Sequence, residues 1–473
     1  MERLVVIGAG ISGLATAFLA RLGAAATGRP LSVTVLEAEA RAGGKMWSDR
    51  SDGFVIEHGP NGFLDNKPDT LDLVKDLGAS EKLLPASELA RKRFVCRRGR
   101  LERLPESPPA FLKSRILTWK GKIRVLGEPF AKPAPQGDES VAAFAARRLG
   151  PEARDYLIDP MVSGIYAGDP GNLSLRAAFP RINELETQYG GLFKAMRGIS
   201  RERKKAGQKG PTGAGPGGTL TSFKSGVQSL IDRLQQELGS NLILGARAVG
   251  LERGTSGYEV RADQGDGQET RHGADAVVLS CPAWVAGELL GDHDATLAED
   301  LNQVFYAPVT VLATAFATQD LGEEPDGFGF LVPHVEDRPI LGTLWDSSVF
   351  PDRAPDGQVL LRTMIGGARR PELARLDDEV LTRTVLDQLK DLMGIRATPT
   401  RVRVIRYDRG IPQYALGHPE RVNRIDRALG TLPGLFLCHN AYHGIALNDC
   451  AREARKTAGR VLDYLQPDSA VEE

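Results

Sequence analysis

The chain has 473 residues, with 60 Lys and Arg against 61 Asp and Glu, a net charge of -1, and 41% apolar residues. Such a balance gives no electrostatic pull toward nucleic acid, and no run reaches the roughly 20 apolar residues of a membrane span. The length exceeds one ordinary core, so two or three domains are expected. Four cysteines (Cys96, Cys281, Cys438 and Cys450) are too few for a disulfide framework and fit a reducing compartment. The chain starts directly on a strand-like run, without the n- and h-regions of a secretory signal, so a cytoplasmic protein is expected, with membrane contact only at its surface.

The run Arg3–Ile7 is short and apolar enough to be a buried strand. It leads into Gly8-Ala9-Gly10-Ile11-Ser12-Gly13 and then into the helix-like Leu14–Ala20. Gly8 suits a tight turn, Gly10 a close approach of backbone to pyrophosphate, and Gly13 close packing of helix on strand. A second apolar run, Leu31–Leu36, ends in Glu37, the acid expected to hold a ribose hydroxyl pair, followed by Ala38. An acid there argues against a 2′-phosphate. Arg41-Ala-Gly43-Gly44-Lys45 and Gly59-Pro60-Asn61-Gly62 follow closely. A plain NAD unit does not need a second glycine pair with basic residues. A flavin dinucleotide does, because it continues past the pyrophosphate toward its ring.

Residues near 90–220 are rich in helix-like segments, such as Glu139–Leu149. A second Gly-x-Gly-x-x-Gly, Gly213–Gly218, is rejected as a nucleotide loop: a charged run precedes it and Pro216 removes a donor. It reads as a mobile loop, and no NAD(P)H site is evident. Helical spacing over Ser222–Leu234 then precedes strand-like runs at Asn241–Val249, Tyr258–Arg261 and Ala274–Pro282. Residues near 295–400 have strand character. Gly434–Leu437 resembles a buried strand, and an amphipathic helix is expected from about Cys450 to Leu465. Cys438, His439 and His443 invite a metal reading, but a fourth ligand is not evident and none is expected.

The chain resembles the oxygen-dependent protoporphyrinogen IX oxidase family of haem biosynthesis, within the amine oxidase-like flavoproteins, nearly end to end. The resemblance rests on Gly59-Pro-Asn61, Arg93-Phe-Val, Gly164–Pro170, Tyr306-Ala-Pro308-Val, Gly327–Pro333, Ile411-Pro-Gln-Tyr414 with Gly417-His418, and Leu447–Cys450. It implies a mixed α/β and α+β architecture: a split Rossmann-like FAD domain, a β-sheet substrate domain and a helical membrane-associating domain. The implied boundaries put FAD-binding parts at 1–86, 222–292 and 415–473, substrate parts at 87–105 and 293–414, and the helical domain at 106–221.

The activity implied is six-electron oxidation of protoporphyrinogen IX to protoporphyrin IX, with O2 reduced to H2O2. Family positions carry FAD contacts to Gly8–Gly13, Glu37, Lys45, Gly59–Gly62, Val249, Asn440, Ile445, Ala446 and Leu447, beside the contacts expected at Ala38, Arg41, Gly43 and Gly44 from the residues themselves. Substrate contacts fall on Arg93 (a propionate partner), Gly168 (a backbone carbonyl facing pyrrole N–H groups), Phe328, Leu331, Leu344 and Met364. No general base is implied, since hydride removal is flavin chemistry. Implied partners are the porphyrinogen, O2, the inner face of the cell membrane, a second copy of the chain and ferrochelatase.

His439 stands where the family commonly has glycine, and Tyr407 where it has tryptophan. Three rival readings remain at this point. Coproporphyrinogen III oxidation would use the same fold, and a flavin amine oxidase would share the dinucleotide segments. A flavin-containing porphyrin-binding protein would not turn over at all.

Overall fold

The computed structural model describes residues 1–205, 218–255, 257–265 and 267–466. The chain opens with β1 (Glu2–Ile7), α1 (Ile11–Ala26) and β2 (Leu31–Glu37), then a hairpin of β3 (Ser48–Ser51) and β4 (Phe54–Glu57). It crosses to β5 (Arg93–Arg97) and β6 (Arg100–Arg103) and enters a helical stretch. That stretch contains α2 (Trp119–Leu126), α3 (Val141–Arg148) and α4 (Asp159–Tyr166). It returns through α5 (Gln228–Leu238), β7 (Leu242–Leu244), β8 (Arg247–Gly254), β9 (Gly257–Asp263), β10 (Glu269–Ala274) and β11 (Ala276–Leu279). Next come β12 (Tyr306–Ala317), β13 (Gly329–Leu331), β14 (Ile340–Leu344), β15 (Gln358–Gly366), α6 (Asp378–Met393) and β16 (Arg401–Pro412). The last elements are α7 (His418–Leu429), β17 (Leu435–Leu437) and α8 (Leu447–Tyr464).

Two sheets organise these pieces. A parallel sheet of order β7-β2-β1-β11-β17 draws its strands from three separate stretches of chain. Its central strands are apolar because both faces are covered, as parallel strands require. Leu4 and Val6 pack with Leu14 of α1, Leu234 of α5 and Ala454 of α8, while Val5 and Ile7 face the β8-β9-β10 sheet. The second sheet has seven strands, β16-β12-β15-β14-β13-β5-β6, with α6 on one face.

Three expectations need correction. Ser222 and Phe223 lie in a strand (Leu220–Phe223), and the helix expected over Ser222–Leu234 runs instead from Gln228 to Leu238. Gly226, at φ 87°, turns the chain between them, where an L side chain would be strained. The stretch read as strands near 295–400 contains the 16-residue helix α6, capped by Asp377 accepting from the Val380 N–H. The terminal helix starts at Leu447, three residues ahead of the expected Cys450. Of the glycine-rich run read as a mobile loop, residues 206–217 lie outside the described residues.

Candidate functional site

At the carboxyl end of β1, two of the three glycines of the turn have no room for a side chain and the third does. Gly8 takes φ 102°, and a Cβ there would lie 2.9 Å from the Ser280 carbonyl. A Cβ on Gly13 would lie 2.0 Å from the Gly8 oxygen. A Cβ on Gly10, by contrast, meets no protein atom within 4 Å. Gly10 also begins α1, and no side chain caps that helix, so its first N–H groups are left for another partner. Ile11 and Ser12, the next two residues, are buried.

Glu37 ends β2 beside this loop. Its Oε2 accepts from the Ala9 N–H at 2.7 Å and its Oε1 from the Glu39 N–H at 3.0 Å, so the carboxylate is aimed before any ligand arrives. Ala38 lies between the two acids. The Gly43–Gly44 turn is tied to the same loop: Gly43 N–H donates to the Ala9 carbonyl at 2.8 Å. Arg41 donates to the Gly44 carbonyl at 2.9 Å and stacks on Trp47 at 4.5 Å. Val249 sits at a β-bulge of β8, between the paired residues Ala248 and Gly250. Nearby, the Ala246 N–H donates to the Glu37 carbonyl at 2.8 Å.

Lys45 reaches the other way. Its Nζ donates to the carbonyls of Arg409 (2.8 Å) and Gly410, between the rings of Tyr306 (5.6 Å) and Tyr407 (5.9 Å). Burial pushes its pKa down to about 8. His439 follows β17 on the far side, and its Nδ1 accepts from the Ala441 N–H at 3.1 Å. Burial pushes the imidazole down to about 3, with the Lys45 cation adding to the effect, so His439 is neutral. Asn440, Ile445, Ala446 and Leu447 continue from it to the start of α8. The Cys438 carbonyl accepts from Ser280 Oγ at 2.6 Å, joining this segment to the residue that touches Gly8. Cys438 is buried and His443 exposed, and among the described residues no group of three His, Cys, Asp or Glu could hold a metal.

The turn from Gly59 to Gly62 rests on a buried ionic network absent from the sequence reading. Arg353 and Glu57, both fully buried, pair at 3.0 Å, with Ser48 Oγ and the Val227 N–H also donating to Glu57. Arg362 pairs with Asp346 and donates to the carbonyls of Glu57 (2.7 Å) and Gly59 (3.4 Å). Asp346 in turn accepts from Asn61 Nδ2 at 3.3 Å. That fixes the amide, and leaves Asn61 Oδ1 buried without a donor among the described residues. Pro60 holds the turn between Gly59 and Asn61. The visible signal was a charge inside an apolar run: Arg362 in Val359–Ile365, and Glu57 after Phe54-Val-Ile. Charges so placed must be paired.

The face of the second sheet that looks toward this turn follows from strand alternation. Arg362 and Met364 share one face of β15, while Leu361 and Ile365 on the other pack against Leu381, Val385 and Leu389 of α6. Register places Leu344 opposite Arg362, Gly342 opposite Met364 and Leu331, and Arg93 opposite Gly329. Leu331, Leu344 and Met364 are therefore co-facial, and each is only half-buried although most neighbours on their strands are sealed. Arg93 lies over the Phe328 ring at 5.1 Å, and no carboxylate among the described residues pairs with it. Burial lowers its affinity for a proton, with Glu106 pulling weakly the other way.

Gly168 follows α4 in a tight turn. Ala167 has φ 46°, and a Cβ on Gly168 would lie 2.5 Å from Gln413 Oε1. A small notch opens beside it, lined by Ser163, Ala167, Gly168, Leu341, Gly366 and Arg369. On the other side, Leu331 touches α4 at Gly164, where a Cβ would lie 2.9 Å away.

The uncapped α1, the open side of Gly10, the aimed Glu37 and the donorless Asn61 Oδ1 fit a flavin dinucleotide. Comparison with known proteins agrees. The model of the flavin-containing amine oxidoreductase family matches residues 11–462. The chain belongs to that family. It is 31% identical to the mitochondrial protoporphyrinogen oxidase of Nicotiana tabacum, over 98% of this chain and 95% of the relative. It is 29% identical to the coproporphyrinogen III oxidase of Bacillus subtilis, over 98% of both. In three dimensions it resembles a protoporphyrinogen oxidase candidate from Exiguobacterium, with a TM-score of 0.82 at 28% identity over 97% of this chain and 98% of that one. Reduced UDP-galactopyranose mutase shares the fold, with a TM-score of 0.73 at 14% identity. This member of the amine oxidoreductase family is a flavin-dependent oxidase with a mixed α/β fold.

Proposed function

We propose that this flavoenzyme uses FAD and O2 to oxidise protoporphyrinogen IX to protoporphyrin IX, releasing H2O2. One observation carries the reading: a half-buried apolar sheet face, Leu331, Leu344 and Met364, ends in Arg93, a cation with no carboxylate partner among the described residues, Glu106 being paired with Arg103. A tetrapyrrole is a large apolar disc with anionic propionates on its rim, and such a face with one guanidinium suits it. Bound FAD would supply hydride abstraction and electron transfer to O2. The protein's part is to orient the macrocycle and exclude water. Glu37 would hold the adenosine ribose, the Gly8–Gly13 loop and Gly43–Gly44 the pyrophosphate, Val249 the adenine, and Asn61, Asn440 and Ile445–Leu447 the ring end.

Coproporphyrinogen III, with four carboxylates, is the competing substrate, and a relative of that name supports it. The charges favour the dicarboxylate. Near Gly168, Arg369 is already paired with Asp159 and Asp169, Arg338 with Asp391 and Arg370 with Asp337, so few cations are left for two more propionates.

Aerobic oxidation of both porphyrinogens by the FAD-loaded enzyme, followed by porphyrin fluorescence, tests the proposal. We expect faster turnover of protoporphyrinogen IX, and Arg93→Ala should raise KM about tenfold with a smaller effect on the rate at saturation. Preference for coproporphyrinogen III would reassign the substrate. Oxidation of neither by FAD-loaded protein would leave only a porphyrin-binding role. An unchanged KM would remove Arg93 from the site.

Peripheral attachment to the inner face of the cell membrane belongs to the same proposal. Among the described residues no helix is long and apolar enough to cross a membrane. Yet α2 exposes Trp119, Ile123 and Leu126 along one side, with Phe130 just beyond at 92% exposure. Spacings of four and three residues put the first three on one stripe, with Lys120 and Arg124 beside it, a composition suited to lying in a lipid interface. Ile123→Glu/Phe130→Glu should abolish cosedimentation with anionic vesicles while leaving FAD content unchanged. Equal cosedimentation of variant and wild type would exclude this stripe.

A further inference from the structure

One short segment, Gln413 to His418, running from the end of β16 to the first residue of α7, touches both the Gly168 turn and the segment after β17. Toward the first, Gln413 Nε2 donates to the carbonyls of Tyr166 (2.8 Å) and Ile411 (3.0 Å). The Tyr414 carbonyl accepts from the Ser174 N–H at 2.8 Å, and the Leu416 N–H donates to Asn172 at 2.9 Å. Gly417 N–H is held by Asp138 Oδ2 at 3.0 Å. The residues flanking Gly168 on both sides are thus bonded to this segment.

Toward the second, the Tyr414 hydroxyl donates to the Asn440 carbonyl at 2.7 Å. His418 Nε2 lies 3.1 Å from the Tyr442 carbonyl. A carbonyl can only accept, so Nε2 carries the proton, and Nδ1 is the buried nitrogen left without a partner among the described residues. The two rings stack at 4.2 Å and 16°, and both residues are sealed from solvent at 0% and 2% exposure. Stacking leaves each ring one polar edge, and both edges point at the same short stretch of backbone, Asn440 to Tyr442.

We propose that Tyr414 and His418 are positioning residues: their stacked rings clamp the Asn440–Tyr442 backbone at a fixed distance from the Gly168 turn, and so set the spacing between flavin and porphyrinogen. The proposal rests on the porphyrinogen reading for its substrate half and on the flavin alone for the other. Neither residue touches the reacting atoms. The clamp works because a buried carbonyl deprived of its donor shifts to find another.

The test uses full-length protein with FAD as the probe. Tyr414→Phe keeps the stack and removes only the hydroxyl. It should raise the Kd for FAD about tenfold and change the visible circular dichroism of bound flavin, and saturating FAD should restore the yellow complex but not the turnover rate. His418→Gln retains an N–H for the Tyr442 carbonyl and should behave like wild type in both flavin readouts, whereas His418→Leu should behave like Tyr414→Phe. Gln413→Leu, at the other end, should raise KM for the porphyrinogen without moving the FAD Kd. Unchanged Kd and dichroism in Tyr414→Phe, or identical behaviour of the two His418 variants, would overturn the clamp. If wild type oxidises neither porphyrinogen, the substrate reading fails while the flavin readouts still decide on the clamp.

Discussion

Gly10→Val should yield folded protein that retains no FAD through purification. The expectation follows from the contrast among the three glycines of the first turn. A methyl on Gly13 would overlap the Gly8 oxygen, and one on Gly8 would press on Ser280, so substitution there attacks the fold itself. At Gly10 the backbone is extended, with φ -69° and ψ 174°, and a Cβ meets nothing of the protein. A valine would therefore leave the β1–α1 unit intact and fill the space in front of the helix N-terminus, where the pyrophosphate of the proposed FAD would come against the backbone. The thermal midpoint without FAD should stay near that of the wild-type apoprotein. Full flavin absorbance in the purified variant would show that the pyrophosphate lies elsewhere.

The second large effect is expected at Arg353→Leu. Glu57 would keep Ser48 and the Val227 N–H as donors, yet its sealed carboxylate would lose its ion-pair partner, with only Arg362, itself committed to Asp346, acting from nearby. Removing one partner of a buried pair costs on the order of 3–5 kcal/mol, far more than the net worth of the pair, because a charge is stranded. The double change Arg353→Leu/Glu57→Leu should recover part of that loss. Denaturant unfolding of the three proteins gives the comparison, and a loss below about 1 kcal/mol in the single variant would mean that no charge is stranded, Glu57 being hydrated or protonated there. Since Arg362 binds the Glu57 and Gly59 carbonyls, the single variant should also loosen the turn that carries Asn61.

The contrast between what could and could not be read in the chain has a physical basis. The β1–α1–β2 unit was legible because its constraints are local: a buried strand, three glycines and an acid lie within 37 residues. The ionic network under Asn61 was not, because Glu57 and Arg362 are 305 positions apart, and the hydrogen bond from Arg362 to the Glu57 carbonyl exists only once two sheets have docked. Helix α6 was hidden by the apolar strands around it. Its Asp377 cap and polar face were present in the sequence but were outweighed by neighbouring β-type runs. The start of the strand near Ser222 was missed because apolar spacing alone cannot separate a short strand from a helix entrance, and Gly226 was the overlooked punctuation. The co-facial set Leu331, Leu344 and Met364 came from family likeness. Nothing in their own segments distinguishes them from core, since it is cross-strand register that brings them together.

The strand order of the parallel sheet also bears on how the protein is made. β1 emerges from the ribosome early, yet one flank waits for β11 some 270 residues later and the sheet is complete only with β17. At about 5–20 residues per second, β1 and α1 spend roughly 13–54 seconds without that neighbour. During this interval an apolar strand edge is exposed, a surface that holding chaperones recognise. Nascent chains stalled before residue 435 should remain chaperone-bound and colourless, which would make cofactor acquisition a late event in the life of this chain.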